Sequence, residues 1–240
     1  MKRMRLKKCK KNKYINKIIL ILILLAISII YILKIFNDKA LPQFLNYSEI
    51  ETQKIVTSLI NDTVSYEISN NINLDNLFIT DLENNNIKSI DFNTKEVNNI
   101  LSKISKVVET NLKYLETGEI DKLYLDYSID KEKFKNGIIY ELPSGIIFNN
   151  VLLNNILPKI PVKISLIGNV FSILNTKVES YGINNALIKV NINITSEIKI
   201  LLPFVSSNSK INVDMPIIIK MVEGKVPSYY FDGYIPSITN

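Results

Sequence analysis

The sequence has no histidine, one cysteine (Cys9) and seven glycines in 240 residues. Without imidazole, the commonest general base and metal ligand is excluded. A single cysteine also rules out thiolate zinc sites and disulfides within the chain. Seven glycines leave little room for a phosphate cradle, and no nucleophile elbow, Walker loop or dinucleotide fingerprint occurs. A hydrolase would then need a Ser–Lys pair or two carboxylates. Ser102–Lys103 and Ser105–Lys106 fall on the polar face of a helical stretch, and Asp126 and Asp130 in a charged loop. Both sets read as solvated surface. The expectation is a protein that is not an enzyme and needs no cofactor.

Acid is missing where base is most abundant. Residues 1–17 carry nine Lys or Arg and no Asp or Glu, whereas from Ala40 onward eighteen basic residues face twenty-two acidic ones. The formal charge of +6 therefore belongs to the tail. A nucleic-acid-binding domain would show a basic face, so no nucleic-acid partner is expected. Composition is dominated by 43 Ile and 30 Asn, a bias that carries little chemistry.

Residues 18–33, IILILILLAISIIYIL, contain no charge. With Ile35 and Phe36 they approach the ~20 residues that cross a bilayer as a helix. A buried core helix would not be apolar all round behind nine positive charges. A cleaved signal peptide is the stronger rival, but the run is long and KIFNDKALPQF offers no small-x-small cleavage site. The organisation expected is a basic cytoplasmic tail (1–17), a membrane-spanning helix (18–36), a linker (37–47) and an extracytoplasmic domain (48–240). The excess of positive charge before the span places the tail in the cytoplasm.

Ser48 and Glu51 form a capping-box pattern ahead of Ile55, Val56, Leu59, Ile60, Val64 and Ile68, which predicts an amphipathic helix over about 48–69. A hairpin follows over 77–82 and 87–92. Asn93, with Glu96 three residues on, opens a second helix. Its stripe runs through Val97, Ile100, Leu101, Ile104, Val107, Val108, Leu112 and Leu115 to Gly118. Residues 119–136 read as loop, 137–145 as a strand, and 149–157 as a short helix stopped by Pro158. Strands are then expected over 162–167 and 170–180. Between 188 and 200 every second residue is apolar except Ser196, and 211–221 repeats the pattern. Such alternation is that of an antiparallel sheet with one wet face. A last strand is expected near 226–231, where Tyr229, Tyr230, Phe231 and Tyr234 either close the core, the favoured reading, or form an exposed cluster that docks a protein, peptidoglycan or a membrane surface. The class is α+β: two long amphipathic helices packed on a mainly antiparallel sheet.

The blocks GIIYELPSG (137–145), PKIPVKISLIGNV (158–170), ESYGINNALIKVNINI (179–194), LLPF (201–204) and MPIIIKMVEGKVP (215–227), with SEIETQKIVTSLINDTV (48–64), resemble the sporulation protein YunB family of endospore-forming bacteria. Leu157 stands before Pro158 where a smaller residue would be expected. The resemblance implies a membrane protein required for efficient spore formation, made in the mother cell and placed in the mother-cell or outer forespore membrane. It supplies no catalytic residue. Two functions fit: an interaction or scaffold module meeting other sporulation or envelope proteins, or a lipid- or glycan-binding domain. The candidate surface is Pro158, Lys159, Pro161 and Lys163, where two prolines would stiffen a turn, together with Tyr181, Asn184 and Asn185.

Overall fold

The computed structural model describes residues 13–83, 86–123, 137–145, 156–182 and 185–223. Helix α1 (Lys13–Ile35) holds the apolar run. It is the one helix among the described residues long and apolar enough to cross a bilayer, and none of that window is buried against protein. A wide π-type turn (Phe36–Ala40), in which the Leu41 N–H reaches the Phe36 carbonyl, leads directly into α2 (Leu41–Asn71). Residues 37–47 are thus helical, and α2 begins seven residues before the capping-box pattern. Pro42, at the first turn of α2, cannot supply an N–H to a continuous α-ladder, and the extra residue of the π turn absorbs that defect. Ser48 is a buried interior residue rather than a cap, and its carbonyl accepts from the Tyr140 hydroxyl at 2.9 Å.

Strands β1 (Phe78–Glu83) and β2 (Asn86–Phe92) form the expected hairpin. Helix α3 (Thr94–Thr117) starts at the Asn93 side chain, which accepts from the Glu96 N–H, and stops at Gly118 in the left-handed region. It runs antiparallel to α2: Asn111 Nδ2 donates to Thr63 Oγ1 at 2.8 Å, and farther along Lys103 meets Glu67 at 3.3 Å.

The main sheet is an antiparallel meander of β3 (Ile138–Pro143), β4 (Lys159–Tyr181), β5 (Asn185–Leu202) and β6 (Val205–Glu223). Its inward face carries Val190, Ile192, Ile194, Ile198 and Ile200 of β5, all fully buried beneath α2 and α3. Each such side chain contributes about 1.5–3 kcal/mol by leaving water. Ser196 is the polar exception and is itself buried. The two strands expected over 162–167 and 170–180 are one strand, joined through a bulge between Ile167 and Phe171 where Gly168 takes a positive φ. An α+β architecture is therefore observed, with both helices on one face.

Only residues 159–163 of β4 are flanked by β3. Just beyond that stretch, Glu116 of α3 accepts from the Leu166 N–H at 3.2 Å and the Ser165 hydroxyl at 2.8 Å, closing the exposed edge with a carboxylate. Gly137 packs at the same corner with φ +72, and a Cβ there would lie 2.4 Å from the Glu116 carbonyl oxygen. Gly168 has a similar φ of +69 but open space around it. Gly137→Ala should therefore unfold at clearly lower denaturant than Gly168→Ala, which pays only the left-handed strain of about 1–2 kcal/mol. Equal melts for the two variants would show that the corner is not closely packed.

The short helix expected over 149–157 (apart from its last residues, Ile156 and Leu157), the last strand near 226–231, the aromatic cluster Tyr229–Tyr234, and Asp126 and Asp130 lie outside the described residues.

Candidate functional site

Where α1 passes into α2, the chain encloses an apolar groove of about 640 Å³. Ile32 and Ile35 come from α1 and Phe36 from the π turn. Phe44 comes from α2, Ile160 from β4, and Phe204 from the β5–β6 turn. The three phenylalanines pack as a trio, with centroids 5.7 Å apart for Phe36–Phe204 and Phe44–Phe204 and 6.5 Å for Phe36–Phe44. Such tilted and edge-on contacts suit the ring quadrupoles. Among the described residues the polar lining is Lys39, Gln43 and Ser144, and Lys39 is the one ionisable side chain of these. Among the described residues Lys39 has no ion-pair partner.

Pro158 lies on this groove. Lys159 and Lys163 do not sit on a turn. They belong to β4, exposed on its outer face, and Lys159 pairs loosely with Glu141 at 3.4 Å. Pro161 lies opposite Glu141, before the first β4–β5 pair at Lys163↔Leu201, where it interrupts no ladder with β5. Tyr181 and Asn185 face each other at the opposite end of the sheet. Asn184 is outside the described residues. At about 3.3 Å per strand residue, roughly 70 Å of strand, measured along the chain, runs between Lys159 and Tyr181. The candidate surface is thus two places, one at each end of β4.

At the far end, register gathers residues the sequence reading did not join. Leu187 pairs with Met221, next to Ile219 on β6 and diagonal to Tyr181 on β4, all on the face turned away from the helices. Tyr181, Ile219 and Met221 are 57%, 65% and 48% exposed. Beside them Glu179 meets Lys177 at 2.9 Å and Lys189 at 2.7 Å. The Lys189 hydrogen bond, then that of Lys177, holds the Glu179 carboxyl below its ordinary range. The signal lay in the odd-numbered positions 187, 219 and 221, but it becomes visible only once the β6 bulge near Pro216 fixes the register.

Of the serines and lysines named above as a possible catalytic pair, Lys103 and Ser105 meet other groups. Lys103 Nζ serves Glu67 and the Asn71 carbonyl, and Ser105 Oγ lies 2.7 Å from Ser172 Oγ. Lys103 is thus part of the contact between the helices as well as of the surface.

Residues 139–229, which include most of the sheet, match the family model described as Sporulation protein YunB. Over 207 residues the chain is 35% identical to Sporulation protein YunB of Bacillus subtilis (strain 168), covering 84% of this chain and 78% of that relative. No solved structure matches. With a relative this similar over most of both lengths, the chain belongs to the YunB family of sporulation proteins.

Proposed function

We propose that the protein is a membrane-anchored, non-enzymatic interaction module in spore formation. In this reading α1 spans the bilayer, the basic tail is cytoplasmic, and the folded domain meets a second protein of the sporulating cell on the other side. The observation that carries it is the distal patch of Tyr181, Leu187, Ile219 and Met221, rimmed by the Lys177–Glu179–Lys189 cluster. Exposed aromatic and aliphatic side chains rimmed by charge are the anatomy of an interface centre. The partner it fits is a protein surface with an apolar centre and charges of both signs at its margin.

Lysine at a contact centre costs about 2 kcal/mol or more of binding, whereas at exposed positions it changes folding by only about 0.5 kcal/mol. Met221→Lys with Ile219→Gln, which sets no second ammonium opposite Lys189, should therefore sharply lower spore counts while leaving the thermal melt and membrane level unchanged. Normal sporulation of that variant would remove the patch from the function. Orientation has its own measurement. Asn175→Cys, on the exposed outer face, should react with a membrane-impermeant maleimide in intact cells, and native Cys9 should not. The reverse pattern would invert the topology.

Lipid or glycan binding is the second reading, and the apolar groove favours its lipid form.

A further inference from the structure

We propose that the groove at the α1–α2 junction holds an acyl chain of an anionic membrane phospholipid, with Lys39 meeting the phosphate. This rests on the reading that α1 spans a bilayer.

Three observations converge on that occupant. First, the groove is continuous with the span. Ile32 and Ile35 form one wall, and the neighbouring apolar side chains of α1, Ile30 and Leu33 among them, are exposed and available to lipid. A bilayer brings acyl chains to this opening at a concentration no soluble ligand matches. Second, the interior suits a hydrocarbon chain. Its volume of about 640 Å³ falls in the range of small-molecule sites, and Phe36, Phe44, Phe204 and Ile160 supply walls with little hydrogen-bonding capacity. Third, the charge is placed for a headgroup. Lys39 lines the groove a turn beyond the end of α1 without an ion-pair partner among the described residues, and Lys34 stands one turn earlier. A basic residue at that height attracts anionic lipid headgroups. Gln43 and Ser144 can complete the phosphate or glycerol contacts.

The chain contains no tryptophan, so one introduced indole reports alone. Full-length Phe204→Trp would be reconstituted in nanodiscs of phosphatidylcholine containing a small fraction of phosphatidylglycerol with brominated acyl chains. Quenching should be severalfold stronger than that given by the same fraction of brominated phosphatidylcholine. Lys39→Gln in the same background should abolish the preference, and raised salt should weaken it. Leu157→Trp, on the groove wall of the folded domain, gives a second reporter should Phe204→Trp not fold. Equal quenching by the two brominated lipids would mean that the groove merely touches bulk bilayer, and no quenching would mean that lipid does not enter; either result overturns the proposal. Failure of the wild-type chain to enter nanodiscs at all would overturn the membrane reading along with it, and is seen before any quenching is measured.

Discussion

Ile104→Ala should destabilise the folded part by about 2–5 kcal/mol, the cost of removing a buried isoleucine's outer carbons and leaving a cavity. Ile104 lies mid-way along α3 and is 1% exposed, with Ile100 and Val108 one turn to either side and equally enclosed. Against a total of about 5–15 kcal/mol for a typical domain, such a loss shifts the melt by many degrees. Val107→Ala, at a half-buried position on the same helix, should cost much less. Thermal melts of the two variants make the comparison, and near-identical curves would mean that α3 does not pack on the sheet through this stripe.

Lys103→Met should cost about 1–3 kcal/mol, more than a surface lysine normally contributes, because it leaves the Glu67 carboxylate without its cation. Glu67 is nearly buried, at 8% side-chain exposure, while Lys103 is 44% exposed, and solvent screening keeps the figure at the lower end for a buried pair. Asn71 Nδ2 also donates to Glu67, at 3.1 Å, and preserves part of the site. Combining Lys103→Met with Glu67→Gln removes the stranded charge, so the double variant should recover most of the loss. A double variant as unstable as the sum of its parts would show that the two side chains act separately.

Local rules carried the reading where they were redundant. Helix α3 has a cap, an apolar stripe and a terminal glycine that agree with one another, and β5 has five inward isoleucines or valines out of six successive inward positions from 190 to 200. They failed where one signal stood alone. Pro42 read as a linker residue, and the Ser48–Glu51 pattern as a helix start, because neither reveals that a π turn can carry a helix past a proline. Gly168 read as the end of a strand when it marks a bulge inside one. The candidate surface joined two places because segments at the two ends of one long strand are close in sequence and far apart in space. The groove was invisible because its walls come from α1, the π turn, α2, β4 and the β5–β6 turn, which meet only in the fold.

The lack of a flexible joint between α1 and α2 has a mechanical consequence. A chain tethered through a loop sweeps a hemisphere and samples partners at any height within reach. Here helix continues from α1 to Asn71, with α2 alone about 45 Å long at about 1.5 Å per residue. The same α2 is locked into the core through Val56, Leu59, Ile60 and Val64. In the proposed reading, with α1 in a bilayer, tilting α1 would tilt the whole sheet, and the height of the distal end would be set by the helix rather than by a loop. Such a post would work as a ruler, engaging what lies at its own height and passing beneath whatever is farther away.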